Sequence, residues 1–383
     1  LEAYYRAGRG EYRLLQLTKR LTGGELPTVY TVDLRQELQE GNRSIFSRKL
    51  QELMTDRLNK GQQTILFLNR RGYAGFVSCR SCGEVMKCPH CDVSLSEHKG
   101  GRLICHYCGY TQPMPKLCPK CGSKYILGFK AGTQQIEEKL KELYPGVRTL
   151  RMDADTTRTK DSYEKILSSF ANGEADVLIG TQMIVKGHDF PKVTLVGILA
   201  ADLSLNASDY RAGERTFQLL TQAVGRAGRG VLPGEAVIQT YQPDHYAITC
   251  AAAQDYESFY QEEILYRELS GYPPVAHMLA VQIYGKEEEN AKQLALRLTD
   301  VVKSNMDFLS GKQKEQSNKK IQVLGPAPAN ISKINDIYRY VFYVKHAEYD
   351  VLVEVKDRLE ETLRQWQPRQ MSIQFDFDPV SVL

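Results

Sequence analysis

Asp176-Val177-Leu178-Ile179-Gly180 and Val193-Thr194-Leu195-Val196-Gly197-Ile198-Leu199, followed by a helical pattern from about Glu214 to Ala223, decide the fold. Both runs are apolar throughout rather than alternating, so each predicted strand must be covered on both faces. Upstream, Thr64-Ile65-Leu66-Phe67-Leu68 reads as a third such strand. A helix precedes it, with Leu50, Leu53, Met54 and Leu58 at helical spacing and Gly61 as its stop. Further on, Gly132-Thr133 opens a helix running to Leu143, Val147 to Met152 reads as a strand, and Ser162 to Phe170 as another helix. Continuously apolar strands alternating with helices predict an α/β domain, a parallel sheet with helices on both faces.

This domain is interrupted. Eight of the nine cysteines fall between Cys79 and Cys121 as four Cys-x2-Cys pairs: Cys79/Cys82, Cys88/Cys91, Cys105/Cys108 and Cys118/Cys121. Each pair brings two thiolates within one tetrahedron edge, and Zn²⁺ takes four such ligands at about 2.3 Å. Eight ligands make two four-cysteine zinc sites. The spacing between Cys91 and Cys105 is that of a zinc ribbon, whereas Cys82 to Cys88 is short for one site. A nested grouping follows, with Cys88, Cys91, Cys105 and Cys108 inside and Cys79, Cys82, Cys118 and Cys121 outside. Disulfides and an iron–sulfur cluster are the competing readings of such a block. Disulfides fit poorly, because Leu1 to Arg6 lacks the apolar core of a signal peptide and thiols stay reduced in the cytoplasm. His90, His98 and His106 read as surface residues, and Arg80, Lys87, Arg102, Tyr107, Tyr110, Lys116 and Lys120 as a scatter suited to nucleic-acid contact or to solvent.

Tyr12 to Leu17 alternates and suits a strand. Beyond Tyr246 come a helical stretch, Gly271-Tyr272-Pro273-Pro274, an alternating Met278 to Tyr284, and a long helix from Glu287 to Leu309. Ser310 to Lys320 reads as an exposed loop, and strands near Tyr338–Val344 and Ser372–Phe377 flank a last helix, giving an α+β terminal domain. In the 383 residues 42% are apolar and 25% charged, which fits two or three globular domains; a net charge of +4 permits nucleic-acid binding without requiring it. No run of about 18 apolar residues predicts a membrane span.

Three segments carry chemistry. Gln222-Ala223-Val224-Gly225-Arg226-Ala227-Gly228-Arg229 spaces two arginines three residues apart among glycines, a pattern that can set guanidinium groups against phosphate oxygens. Gly180-Thr181-Gln182-Met183-Ile184-Val185-Lys186-Gly187-His188-Asp189-Phe190 follows a buried strand, and Phe67-Leu68-Asn69-Arg70-Arg71-Gly72 sits at a strand end, where ligands collect in parallel sheets. In this order they resemble motifs VI, V and IV, respectively, of superfamily 2 helicases, the second of two RecA-like lobes. The eight-cysteine insertion, Asp209-Tyr210-Arg211-Ala212-Gly213-Glu214-Arg215, Leu324-Gly325-Pro326-Ala327-Pro328-Ala329 and Ile337-Tyr338-Arg339-Tyr340 narrow the resemblance to the PriA family of replication-restart helicases. Gln134 departs from it, standing where an acidic residue is expected.

That resemblance implies a division into 1–24, the tail of lobe 1 and a connector; 25–75 with 124–245, lobe 2; 76–123, the zinc insertion; and 246–383, a domain for DNA and partners. It implies an ATP-dependent 3′ to 5′ DNA helicase, a cytoplasmic monomer that recognises forked and single-stranded DNA, binds single-stranded-DNA-binding protein and recruits primosome and helicase-loader proteins. Arg229 would be the arginine finger, with Arg226 and Gln222 facing nucleotide, Gly187 nearby and Asp189 near the ribose. Asn69, Arg70, Thr181, Gln182 and Lys186 would face DNA. Tyr272, Tyr338, Arg339, Tyr340 and Tyr343 are candidates for stacking and phosphate contact. The sequence has neither a Gly-x-x-x-x-Gly-Lys-Ser/Thr phosphate loop nor an acidic box for Mg²⁺. Together with a start lacking Met, this reads as a piece of a longer motor, inactive toward ATP alone. A zinc-bearing DNA-binding or scaffold protein without enzymatic activity is the alternative.

Overall fold

The computed structural model describes residues 1–17, 25–68, 77–90, 94–98, 101–105, 108–127, 132–153, 156–157, 160–184, 189–206, 209–304 and 320–380. After a short helix α1 (Glu2–Gly8) the chain forms β1 (Thr28–Asp33), α2 (Leu34–Gln39), α3 (Arg48–Asn59) and β2 (Gln63–Leu68). The cysteine block follows, with β3 (Ser78–Cys79), β4 (Ser96–His98), β5 (Arg102–Ile104), β6 (Thr111–Pro113) and β7 (Ile126–Leu127). The α/β pattern then resumes as α4 (Thr133–Leu143), β8 (Thr149–Met152), α5 (Lys160–Ala171), β9 (Val177–Gly180), β10 (Val193–Leu199), α6 (Asp202–Leu205), α7 (Ala212–Val224), β11 (Glu235–Thr240), α8 (Tyr246–Ala253) and α9 (Tyr256–Ser270). Last come β12 (His277–Gly285), α10 (Glu288–Ser304), β13 (Gln322–Ile334), β14 (Ile337–His346), α11 (Tyr349–Trp366) and β15 (Met371–Phe377).

The first sheet is parallel throughout, in the order β1-β11-β10-β2-β9-β8. Successive side chains point to opposite faces, which explains the unbroken apolar runs. Ile65, Phe67, Val196, Ile198 and Ile238 meet Phe170 of α5 and Phe217 and Leu220 of α7. Leu66, Leu68, Leu195, Leu199 and Val237 meet Leu50 and Met54 of α3 and Ile136 and Leu140 of α4. Each such side chain, fully buried, contributes about 1.5–3 kcal/mol. Ser47 caps α3 by accepting from the Leu50 amide.

The last sheet is antiparallel, in the order β13-β14-β12-β15, with α10 and α11 on one face. This is the βαββαβ order of a split βαβ unit. Its other face is covered in part by the cysteine block: Leu103, Cys105, Tyr110 and Met114 share a core with Met278, Ala280, Val341 and Tyr343.

Several expectations change. Tyr12 to Leu17 is not a strand; among the described residues no strand pairs with it, and Leu15 and Leu17 are exposed. The helical stretch after Tyr246, assigned to the terminal domain, packs instead on the parallel sheet, with Ala247, Ile248, Ala251 and Phe259 in its core. The strands β1, β11 and β13 have no counterpart in the sequence reading. The loop expected at 310–320 lies almost wholly outside the described residues, as does the predicted end of the long helix beyond Ser304. No helix among the described residues is long and apolar enough to cross a membrane.

The joint between the two sheets is a stack of rings and cations. Tyr210 lies flat on Tyr272, with centroids 4.7 Å apart. The Arg267 guanidinium lies over the Tyr210 ring at 4.8 Å, and the Lys345 ammonium over Tyr272 at 4.0 Å. Arg267, 1% exposed, donates to Glu263 at 2.8 Å, to Glu214 at 3.1 Å and to the Pro273 carbonyl at 2.7 Å. Burial pushes the Glu263 carboxyl up, and Arg267 pulls it back. Replacing Arg267 by Met leaves these carboxylates buried without their cation and is expected to cost about 3–5 kcal/mol at neutral pH, read by urea unfolding. Because a raised native pKa makes the folded state bind more protons, the variant's deficit should shrink as pH falls toward the ordinary carboxyl range; a pH-independent deficit would contradict this account.

Candidate functional site

Three of the cysteine pairs fold alike. The amide of the glycine after each pair donates to the carbonyl of the pair's first cysteine: Gly83 to Cys79 at 2.8 Å, Gly109 to Cys105 at 2.9 Å and Gly122 to Cys118 at 2.9 Å. All three glycines are left-handed, with φ of +76°, +78° and +70°, so glycine is the residue this turn demands. Each turn is closed by a second bond from the first cysteine's amide, to Glu84, Tyr110 and Ser123 at 2.8 Å. The tip amides thereby face sulfur, those of Cys82 and Ser81 toward Cys79 among them.

Tertiary folding brings the pairs together in a nested way. Cys79, Cys82, Cys118 and Cys121 place their sulfurs within 4.8 Å of one another, and so do Cys88, Cys105 and Cys108. Cys91 lies outside the described residues. The Sγ–Sγ distances are 3.7 Å for Cys79–Cys121, 3.6 Å for Cys82–Cys118 and 3.5 Å for Cys88–Cys108. A disulfide needs about 2.05 Å, whereas a tetrahedron of sulfurs 2.3 Å from a central Zn²⁺ has an edge of about 3.8 Å. Burial raises Cys82 to about 12, while for Cys79 the tip amides and Cys121 outweigh burial and draw it down to about 7. Thiols this close cannot all ionise without a countercharge, which a divalent cation supplies. The donor set and spacing therefore fit zinc. His90, expected at the surface, is exposed and meets the edge of Tyr110, and His98 is half-buried.

The arginines lie elsewhere. Helix α7 runs back along the sheet and ends at Gly225, after which the chain turns sharply. The Gly228 amide donates to the Val193 carbonyl at 3.0 Å, at the start of β10. Gly228 has φ of +67°, and a Cβ there would sit 2.4 Å from the Gly234 nitrogen. The turn brings Arg226 within reach of the Arg229 and Asp189 charges: burial lowers Arg226, the Arg229 charge lowers it further, and Asp189 opposes both without cancelling them. Arg229 donates to the Gly225 carbonyl at 2.8 Å and lies 3.7 Å from the Asp189 carboxylate. Gln222 is exposed one turn earlier. Arg226, Arg229 and Asp189 thus gather at the N-terminal edge of the parallel sheet.

Thr181 and Gln182 follow β9 at the opposite, C-terminal edge, where the Ile184 amide donates to the Thr181 carbonyl at 3.1 Å. Asn69, Arg70, Lys186 and Gly187 lie outside the described residues. Thr133, at the start of α4, donates to Asp153 at 2.5 Å, while Gln134 only reaches Glu138 on its own helix at 3.1 Å. Of the terminal-domain candidates, Tyr272, Tyr340 and Tyr343 are 2%, 8% and 1% exposed and serve as core; Tyr338 and Arg339 remain accessible.

Comparison with known proteins gives three family matches along the chain. The PriA DNA helicase Cys-rich region matches residues 88–113, the Helicase conserved C-terminal domain matches 117–231, and the Primosomal protein N C-terminal domain matches 268–380. Replication restart protein PriA of Bacillus subtilis is 44% identical over 100% of this chain and 46% of its own length. The proteins of that name from Synechocystis sp. and Chlamydia muridarum are 42% and 40% identical, over 96% and 90% of this chain and 43% and 45% of theirs. The chain therefore spans about half the length of the curated relatives it matches. With such similarity running from end to end, and with the Cys-rich region, the helicase domain and the primosomal C-terminal domain following one another along it, the chain belongs to the PriA family.

Proposed function

We propose that this chain supplies the second motor lobe, the zinc module and the terminal domain of an ATP-dependent superfamily 2 DNA helicase that moves 3′ to 5′, recognises stalled forks and initiates primosome assembly. The observation that supports this most is the pairing of Arg226 and Arg229 on one rigid turn, in a chain matched by a helicase C-terminal domain. In this reading Arg229 neutralises charge on the transferring phosphoryl group, Arg226 and Gln222 face the nucleotide, and Asp189 and Gly187 lie by the ribose. Arg229 rests against the Gly225 carbonyl and the Asp189 carboxylate. ATP and Mg²⁺ would be bound chiefly by the other lobe of the whole protein. Thr181, Gln182, Lys186, Asn69 and Arg70 would grip the DNA backbone. Single-stranded-DNA-binding protein and helicase-loader proteins are the partners this reading assigns.

In the whole protein, Arg229→Ala is expected to lower DNA-stimulated ATP turnover about 10³-fold or more, with DNA affinity within about threefold of the parent since no DNA contact is removed. Retained turnover, measured by phosphate release with forked DNA, would sink the arginine assignment.

We assign one Zn²⁺ to Cys79, Cys82, Cys118 and Cys121 and a second to Cys88, Cys91, Cys105 and Cys108, both structural, each worth on the order of 10 kcal/mol of folding energy. Elemental analysis should find two zincs per chain, and Cys118→Ser should retain one. Because the block shares its core with Met278, Ala280 and Tyr343, chelation should also speed proteolysis of the terminal domain; unchanged digestion there would argue against that shared core.

A further inference from the structure

A cavity of about 520 Å³ opens where the zinc module meets the parallel sheet. Its floor is the C-terminal end of β10 and β11, at Leu199, Ala200 and Tyr241, and Ile45 and Ile136 form apolar walls. The outer cysteine turn seats itself on this edge: Gly83 lies so close that a Cβ would stand 2.5 Å from the Tyr241 carbonyl. That seating brings Arg80 and Tyr125 into the lining, tied to each other by an amide-to-carbonyl bond of 2.9 Å. Arg43 approaches from the segment before α3. Neither Arg43 nor Arg80 makes an ion pair with any described residue. The acid of the lining, Glu37, is occupied by the Asn42 amide and the Arg48 backbone amide. Tyr125 is 58% exposed, its ring available at the mouth. Arg80 also lies near the Tyr241 hydroxyl: burial pushes that hydroxyl up and the Arg80 charge pulls it back.

Apolar walls, an accessible ring and two uncompensated guanidinium groups suit a planar base bearing a phosphate. We propose that this cavity binds one nucleotide of single-stranded DNA, its phosphate held by Arg80 and Arg43 and its base packed between Tyr125 and the apolar wall. The assignment rests on the reading of the chain as part of a DNA motor. A strand in place of a free nucleotide follows from position: β10 is two strands from β9 in the sheet, about 10 Å. A chain passing Thr181 therefore reaches the cavity within about three stacked nucleotides of 3.4 Å each.

The test is anisotropy of a labelled oligodeoxythymidylate with the whole protein and with Arg80→Ala, Arg43→Ala and Tyr125→Leu, across a salt titration, after zinc content and thermal unfolding are shown to match the parent. Each arginine variant should weaken binding several-fold and flatten the slope of log affinity against log salt by about 0.7. Tyr125→Leu should weaken binding about fivefold or more with the slope unchanged. Parental affinity and slope in all three variants, with the parent still binding, would overturn the cavity assignment and leave the motor reading standing. A parent that binds no oligonucleotide would overturn the motor reading itself. Thymidine monophosphate competing as well as the oligonucleotide would make this a mononucleotide site instead. Variants impaired only toward an acidic peptide would reassign it to a protein partner.

Discussion

A parallel sheet buried on both faces leaves only its edges for chemistry, and the rest of this molecule is arranged around that constraint. Leu66 and Phe67, adjacent in β2, point into different cores, so neither face can hold a polar ligand without losing apolar burial. The helices that cover the faces run back along the strands, and their ends therefore sit at the edges. Helix α7 delivers Arg226 and Arg229 to the N-terminal edge, while the zinc module and Thr181 occupy the C-terminal one. Thr181 and Asp189, proposed to face DNA and nucleotide, are only eight positions apart in the sequence yet lie at opposite edges.

The zinc module is a wedge more than an appendage. Its outer turn rests on the end of β11 through Gly83, while Leu103, Cys105 and Met114 pack against the terminal sheet. A block this rich in cysteine and short strands has little apolar surface of its own, so metal ligation and a borrowed core stabilise it together. The same sharing explains why the terminal sheet can leave one face without helices.

The start of α7 is the second meeting point. Tyr210 meets both Arg267 and Tyr272, its hydroxyl donates to the Pro379 carbonyl at 3.3 Å, and Arg215 reaches the Val380 carbonyl. One helix thus carries the joint to the terminal domain at one end and the paired arginines at the other. Its packing in the sheet core couples the positions of both.

Much was legible in the sequence, for physical reasons. Continuous apolar runs such as Val193–Leu199 have no amphipathic reading, so by themselves they imply a sheet covered on both faces. The Cys-x2-Cys-Gly turns are local, and thiolate chemistry fixes what they bind. Other elements were hidden because their signals are not local. Strand β1 is half exposed along its length and is defined by pairing with β11, and the helices after Tyr246 carry no mark of which sheet they cover. Tyr340 and Tyr343 stand three apart in β14 and so face opposite sides of the sheet, and only packing against α10 on one side and the zinc module on the other made both core. The sequence by itself determined the class of the lobe, the metal chemistry and the paired arginines, since these depend on residue type at short spacing. Tertiary structure alone decided the wedge position of the zinc module, the separation of the two edges and the cavity between Arg43 and Arg80, because each depends on contacts between residues far apart in the chain, which local spacing does not encode.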